Sequence, residues 1–284
     1  MHEGDGGIAR WSTLSELAQA TEAHDLDSVW LADHLLYQPS EGETKGMHEA
    51  WTLMSALAAV TERIEIAPLV LCASFRNPGL VANMAATLDL VANGRLTLGV
   101  GAGWHDPEYE AFGFPADRKV SRFEEWVEIV ARLLRGEQVT FDGTYYSTKD
   151  ARLVPAPERK IPLLVASHQP RMHGLTAKWA DSWNTAWYGL PDDRFRERVE
   201  GMDAALAAAG RDPTDLERTV GIIMVDPDEP DEEDRAAYPG TTEEIVAALD
   251  VYERLGFAHA IMFPQPATVA SVERVAEAVR LSRG

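Results

Sequence analysis

The feature that most constrains the fold is the segment 64–104, which combines two apolar strands with one helical pattern. Its first strand, 64–71, is apolar on both faces, as strands of helix-covered parallel sheets are. A helical apolar stripe follows over 80–92, and Asn93-Gly94 is expected to end that helix in a left-handed turn. The second strand, 96–101, completes a right-handed βαβ unit. Ligands bind in the loops after such strands, so the unit also predicts where a site lies.

The same alternation of strand and helix runs through most of the 284 residues. Apolar strands are predicted at 28–32, 64–71, 96–101, 161–167, 181–187, 219–225 and 259–263, and helices at 13–25, 50–62, 80–92, 121–135, 170–179, 192–209, 241–255 and 269–282. Thr13 with Glu16 and Ser121 with Glu124 resemble capping boxes. Asp142-Gly143 predicts a hairpin outside the main sheet, within 139–157. The pattern predicts an α/β protein with a (β/α)8 TIM barrel, as one domain over residues 1–284.

An open, doubly wound sheet is the alternative fold, because it also fits the strand spacing. Its dinucleotide fingerprint does not fit, since Trp104 stands where the third glycine belongs after Gly99 and Gly101. A barrel needs a strand before its first helix, and only glycine-rich sequence precedes that helix here. Either the chain starts inside the usual fold, or a poor first strand lies within residues 1–9.

Composition narrows the range of functions. The formal net charge of −20 argues against nucleic acid or an anionic membrane as a partner, because both would repel the chain. The one cysteine, Cys72, excludes an intramolecular disulfide and favours a reducing compartment. No apolar run reaches about 18 residues, and the N-terminus does not resemble a signal peptide, so we expect a cytoplasmic protein. The acidic run 226–234 is expected to be a surface loop.

In a barrel of this kind the active site lies at the carboxyl ends of the strands. That rule nominates Asp33-His34 and the segments 70–76, 101–108, 167–171, 184–187 and 263–265. Gly101 and Gly103 let the backbone approach a flat ligand closely. The helix starts after Ser167 and at 240–242 offer backbone N–H groups to a phosphate. The histidines lack the spacing of zinc ligands, so no metal site is predicted.

Five motifs occur in a fixed order along the chain. They are SVWLADHLL (28–36), AATLDLVANGRLTLGVGAGWHDPEYEAFGFP (85–115), SRFEEWVEIVARLLRGE (121–137), VTFDGTYY (139–146) and IPLLVAS with AKWADSWN (161–184). Together they resemble the luciferase-like monooxygenase family, and within it the oxidoreductases that use the deazaflavin coenzyme F420. The resemblance implies a bacterial luciferase-like (β/α)8 barrel with a flavin or deazaflavin at its carboxyl-terminal face. It also implies that the missing first strand is a truncation or an alternative start.

The resemblance assigns roles to particular residues. Asp33-His34 match a pair near the redox face of the coenzyme, which makes His34 the candidate proton donor or acceptor and Asp33 its orienting partner. The bond Leu69–Val70 is the best match to a non-proline cis peptide that bulges against the ring. The implied coenzyme contacts are Asp33, Leu69, Val70, Cys72, Gly101, Gly103, Glu108, Ala166, Ser167, His168, Gln169, Gly240 and Thr241. Cys72 is, by itself, more typical of a small packed side chain than of a nucleophile.

One position departs from the family pattern. Some F420 dehydrogenases carry a catalytic glutamate directly after the last glycine of this loop, and here Trp104 occupies that position. The departure argues against a sugar-phosphate dehydrogenase of that type. The leading hypothesis is an F420-dependent oxidoreductase that transfers hydride between the deazaflavin C5 and a small organic molecule, acting as a homodimer. The alternatives are an FMN-dependent monooxygenase of the same family and a non-catalytic, flavin-binding barrel.

Overall fold

The computed structural model describes residues 8–40, 42–228 and 237–284. Spatial proximity divides the chain into two compact units. The terminal unit comprises Met1–Val29, Ser167–Ala177 and Ser182–Gly284, and the central unit comprises Trp30–Ala166 and Lys178–Asp181. A single domain over residues 1–284 stays a prediction.

Each core strand and helix predicted from the sequence is present, with ends shifted by a few residues. In chain order the elements are α1 Trp11–Ala23, β1 Ser28–Leu31, β2 Leu36–Tyr37, β3 Lys45–Gly46, α2 Ala50–Val60, β4 Glu65–Pro68, β5 Leu71–Cys72, α3 Pro78–Val91, β6 Leu98–Gly101, α4 Asp106–Phe112, α5 Lys119–Leu134, β7 Val139–Asp142, β8 Ser147–Ala151, β9 Leu163–Ala166, α6 Pro170–Trp179, β10 Ser182–Tyr188, α7 Asp193–Ala209, β11 Glu217–Val225, α8 Thr242–Arg254, β12 His259–Gln265 and α9 Val269–Arg283.

The central unit is built on the predicted βαβ unit. Strands β5, β6 and β9 are neighbours and run parallel, with Leu71 beside Val100 and Leu98 beside Leu163. The segment predicted as one strand is divided into β4 and β5, and between them the bond Leu69–Val70 is cis, as the resemblance implied. Helix α3 ends in a left-handed turn at Asn93-Gly94, with φ of 53° and 79°. These strands bring their carboxyl ends, and the residues that follow them, to one edge of the unit.

The terminal unit contains three neighbouring parallel strands. Strand β10 pairs with β11, and residues 219–225 of β11 pair with the whole of β12. A buried apolar cluster joins β11 to the helices α8 and α9. It comprises Met224 of β11, Ile245 of α8, and Val275 and Ala278 of α9. A second non-proline cis peptide, Ala186–Trp187, lies in β10 and was not predicted.

Two connecting segments hold structure that the strand and helix pattern did not reveal. The loop after β1 contains the short antiparallel pair β2–β3, and the loop after β6 contains helix α4. The predicted hairpin is confirmed as the antiparallel pair β7–β8, a sheet by itself. The carboxylate of Glu125 on α5 accepts the N–H groups of Thr144, Tyr145 and Tyr146, so it fixes the hairpin turn.

Both predicted capping boxes are wrong, because the helices begin two residues earlier. Helix α1 begins at Trp11 after Arg10, and α5 begins at Lys119 after Arg118. Neither N-cap residue makes a side-chain capping hydrogen bond. The hypothesis of a poor strand within residues 1–9 falls mostly outside the described residues, of which Ile8 forms an isolated bridge. Part of the acidic run 226–234 also lies outside them. Among the described residues, no helix is long and apolar enough to span a membrane.

Candidate functional site

His34 and Glu108 form the most distinctive polar pair of the central unit. His34 follows β1 closely, and Glu108 lies on the first turn of α4, which begins soon after β6. Nδ1 of His34 lies 2.7 Å from Oε1 of Glu108. The glutamate side chain is 2% exposed and that of the histidine 19%. A carboxylate that is almost completely buried therefore holds a histidine that still reaches solvent.

The second oxygen of Glu108 fixes the backbone next to this histidine. Oε2 accepts the N–H of Leu35 at 2.5 Å and lies 3.4 Å from that of Leu36. Because an ionised carboxylate only accepts hydrogen bonds, the proton of a neutral His34 lies on Nδ1. In the part of the chain that the structure describes, no protein group hydrogen-bonds Nε2 of His34. The free nitrogen can therefore accept a proton when the imidazole is neutral and deliver one when it is protonated.

Aromatic rings surround His34. The aromatic cluster, defined as Tyr37, Trp104 and His105, has ring centroids 5.9, 5.6 and 5.8 Å from that of His34. His105 is buried, and its Nε2 accepts the N–H of Gln38 at 3.0 Å. Burial also lowers the pKa of His105, which keeps this ring neutral. Trp104 differs from the other rings because 66% of it is exposed.

Asp33 is buried in an ion pair. Its side chain has no exposed surface, and both oxygens accept from the guanidinium of Arg76, at 2.7 and 2.9 Å. Oδ2 also accepts the N–H of Cys72 at 2.9 Å. Arg76 continues to the carboxylate of Glu49, the N-cap of α2. The geometry therefore gives Asp33 a structural task, tying the end of β1 to the end of β5.

The charges of this network stabilise one another. Burial alone would lower the pKa of Arg76, but the hydrogen bonds and charges of Asp33 and Glu49 raise it. Burial raises the pKa of Glu49, and the hydrogen bonds from Thr52, Arg76 and Trp51 outweigh that effect and lower it. Both groups therefore stay charged at neutral pH, as a buried ion pair needs.

The predicted glycine loop packs tightly against β5 and α4. A Cβ at Gly101 would lie 2.8 Å from Cγ2 of Val70. A Cβ at Gly103, whose φ is +80°, would lie 1.9 Å from the hydroxyl oxygen of Tyr109 and 2.6 Å from Sγ of Cys72. Sγ of Cys72 lies 3.2 Å from that hydroxyl, and burial raises the pKa of the thiol to about 11. Cys72 is thus a protonated, packed side chain at neutral pH.

In the terminal unit, the residues just before α6 differ in whether other protein groups already occupy their hydrogen-bonding atoms. The carbonyl oxygen of Ser167 accepts Nε1 of Trp183 at 3.0 Å, and its Oγ accepts the hydroxyl of Thr176 at 2.9 Å. Gln169 is exposed. The positive charges of Arg194 and Arg198 act on His168. Arg194 and Arg198, which sequence reasoning missed, therefore lie close to this segment, and Arg194 is also ion-paired with Asp192.

The backbone N–H groups predicted to bind phosphate at α8 already have a partner. Oε2 of Glu244 accepts the N–H of Gly240 at 2.8 Å and that of Thr241 at 2.9 Å. The hydroxyl of Thr241 accepts the N–H of Glu244 in return, which completes a capping box. A phosphate would have to displace a carboxylate of like charge here. A phosphate contact at Gly240 and Thr241 stays a prediction.

The structure thus brings part of the predicted set together within each unit. In the central unit Asp33, His34, Cys72, Gly103 and Glu108 are linked through shared contacts, and Leu69, Val70 and Gly101 line the adjoining strand ends. Ala166 ends β9 in that unit. The remaining predicted contacts belong to the terminal unit. Sequence reasoning gave no role to Arg76, Glu49, Tyr37 or Tyr109, although Arg76 lies in a nominated segment.

Comparisons with known proteins show which family the chain belongs to. The chain is 33% identical over 212 residues to the F420-dependent glucose-6-phosphate dehydrogenase of Microbacterium testaceum, covering 74% of this chain and 62% of that protein. The enzyme of the same description from Amycolatopsis mediterranei is 36% identical over 221 residues, covering 74% and 64%. The chain therefore spans about 62–64% of the length of these relatives.

Solved structures agree with the fold. An F420-dependent secondary alcohol dehydrogenase in complex with an F420-acetone adduct matches with a TM-score of 0.81 at 22% identity, over 97% of this chain and 96% of the other. The coenzyme F420-dependent tetrahydromethanopterin reductase of Methanopyrus kandleri matches with a TM-score of 0.77 at 16% identity, over 94% of both chains. The predicted (β/α)8 fold class is confirmed. Because the model of the luciferase-like monooxygenases matches residues 1–279, the chain belongs to that family.

Proposed function

We propose that this chain is an oxidoreductase that uses coenzyme F420 to transfer a hydride to or from a small organic molecule. The observation that carries the proposal is the pair His34–Glu108, which leaves one histidine nitrogen free for proton transfer beside a glycine loop. The names of the curated relatives, which are F420-dependent dehydrogenases, support the choice of coenzyme. A hydride transfer to a carbonyl, imine or alkene needs a proton as well, which such a histidine supplies.

The residues present fit an anionic coenzyme with a flat ring. In the central unit, Gly101 leaves room for the side chain of Val70, so backbone and small apolar groups are what a ring would meet there. In the terminal unit, the exposed Gln169 and the start of α6, with Arg194 and Arg198 near His168, suit a phosphate. Each of these segments is a candidate coenzyme contact within its own unit. When bound, it supplies the hydride at C5 of the deazaflavin.

The protein's own part is orientation and proton transfer. Glu108 holds the ring of His34 through Nδ1 and directs Nε2 away from the carboxylate. In the reducing direction Nε2 of His34 passes a proton to the substrate, and in the oxidising direction it takes one. The buried ion pair Asp33–Arg76 positions the segment after β1 that carries His34. It takes no part in transferring the proton between His34 and the substrate. Asp33 is thus a positioning residue under this proposal.

The first experiment is a titration of the purified chain with coenzyme F420 and, separately, with FMN, followed by fluorescence. We expect saturable binding of F420 and none of FMN. Binding of FMN alone would contradict the proposal and support an FMN-dependent monooxygenase. Tight binding of F420 without turnover of any small substrate would support the non-catalytic alternative.

The second experiment isolates the role of His34. Its replacement in His34→Gln keeps a polar side chain but removes the transferable proton. We expect F420 affinity to change less than about threefold and kcat to fall about 10²–10⁴-fold, the range of general acid–base catalysis. Unchanged kcat would refute the role of His34.

We also propose that the chain forms a homodimer. Light scattering of the purified chain measures its molar mass, and the mass of a monomer would contradict this proposal.

A further inference from the structure

Trp104 is the one ring of the aromatic cluster that is mostly exposed, and it contacts the rings of His34 and His105. Its ring centroid lies 5.0 Å from that of His105, which is itself buried and bonded to the backbone of Gln38. It meets the ring of His34 edge-on, at 81° and 5.6 Å. Gly103 turns the chain directly before it, with φ of +80°. A large apolar surface therefore lies beside the proposed proton-transfer group and is open to a ligand.

The distance decides what a substrate must touch. A group that exchanges a proton with Nε2 of His34 lies about 3 Å from that nitrogen. The ring centroid of Trp104 lies 5.6 Å from that of His34, so the indole is within reach of a substrate of more than a few atoms at Nε2. Flat, conjugated molecules make the most of such a surface, because aromatic rings pack by offset stacking or edge to face.

The charges around the cluster disfavour an anion there. Cations on neighbouring elements of the central unit are already ion-paired: Lys119 with Asp106, Arg76 with Asp33 and Glu49, and Lys45 with Glu43. His105 is neutral because burial lowers its pKa. The nearest fixed charge to His34 is the carboxylate of Glu108. The part of the substrate that reacts beside His34 would thus meet aromatic rings, and the cations named above are already engaged by carboxylates, so these surroundings offer a phosphate little attraction.

We infer that Trp104 is a specificity-determining residue that selects a neutral, conjugated substrate over a phosphorylated sugar, an inference that rests on the proposed function. In the reducing direction the C=C or C=O bond of the substrate accepts a hydride at one atom from the reduced coenzyme, which is thereby oxidised. The other atom of that bond accepts a proton from His34, which is reprotonated by solvent. Two electrons and two hydrogens are thus added across the double bond.

The test compares 2-cyclohexen-1-one, with reduced F420, and glucose 6-phosphate, with oxidised F420. Four proteins are assayed: the parent, Trp104→Ala, Trp104→Phe and the control Phe112→Ala, which removes a ring that is 53% exposed. Covering roughly 80 Å² of indole corresponds to about 30-fold in affinity, so Trp104→Ala should raise KM for the enone about 30-fold. Trp104→Phe should stay within about threefold of the parent because a flat ring remains. Phe112→Ala should not change KM.

The F420 dissociation constant of each protein, measured by fluorescence, separates the two proposals. Failure of the parent to bind F420 would contradict the proposed function. If F420 binds normally, three results would overturn the inference about Trp104: turnover of glucose 6-phosphate but not of the enone, no turnover of either, or an unchanged KM for the enone in Trp104→Ala. Because Trp104 is largely exposed, its variants are expected to unfold within about 2 °C of the parent.

Discussion

Replacing the buried carboxylate of Asp33 by an amide separates a structural role from a catalytic one. Asp33→Asn keeps the shape and an acceptor for the N–H of Cys72, but it leaves the guanidinium of Arg76 without its buried counter-charge. Removing one partner of a buried ion pair costs about 3–5 kcal/mol. Glu49 still contacts Arg76, so the lower end of this range applies, about 3 kcal/mol in the free energy of unfolding.

For a protein of this size each kcal/mol corresponds to about 2–4 °C, so we expect the Tm of Asp33→Asn to fall by about 6–12 °C. The assay is thermal unfolding followed by circular dichroism. The matched control is Glu49→Gln, which removes the other carboxylate bound to Arg76. That side chain is 40% exposed, so its loss should cost only about 1 kcal/mol.

A double variant examines the ion pair itself. Arg76→Met alone leaves Asp33 as a buried, uncompensated charge, whereas Asp33→Asn with Arg76→Met removes both charges. We therefore expect the double variant to be more stable than Arg76→Met alone. The reasoning would be refuted if Asp33→Asn kept the parent Tm but lost turnover, because Asp33 would then act in catalysis rather than in holding the fold.

Two further changes test the packing of the glycine loop. Gly103→Ala should destabilise the protein by about 3 kcal/mol in urea unfolding, because the added Cβ meets Tyr109 and the φ is +80°, whereas Gly113→Ala, with φ of +73° and open space, should cost about 1 kcal/mol; equal costs would contradict this. The pKa of Cys72 is raised from 9.0 to about 11, so the unfolded chain releases this proton first as the pH rises. Relative to Cys72→Ala, the parent should therefore lose about 2 kcal/mol of stability between pH 9 and pH 11, and its thiol should resist iodoacetamide at pH 8 until it is unfolded; rapid alkylation of the folded protein would show that the thiol is accessible and ionised.

The apolar pattern predicted the fold because buried parallel strands and amphipathic helices leave a clear periodic signal. The helix starts were less predictable. Thr13 and Ser121 have the right spacing to a glutamate, but both helices begin two residues before them, at Trp11 and Lys119. At Thr241 the same spacing to Glu244 marks a true capping box, and it also signals that these backbone N–H groups are taken.

The site was predictable only as far as single residues. The rule of strand ends found Asp33 and His34, but their partners lie far along the chain, Arg76 43 residues after Asp33 and Glu108 74 residues after His34. No local spacing connects residues so far apart. Only the fold decides that one carboxylate pairs with an arginine and the other with a histidine. The different roles of two adjacent residues, a structural one for Asp33 and a proposed catalytic one for His34, therefore depend on their tertiary contacts.

The pair His34–Glu108 also explains how Trp104 can stand where some F420 dehydrogenases carry a glutamate. Glu108 reaches His34 from the first turn of α4, four residues after Trp104, and supplies the negative charge that orients the histidine. A second carboxylate at 104 would repel the first across a partly buried site. Under the proposed function, with the orienting charge placed on the helix, the loop position can hold a side chain that contacts the substrate instead. An indole there exchanges charge recognition for apolar contact, so the difference in residue 104 is expected to change which substrate reacts rather than whether the histidine functions.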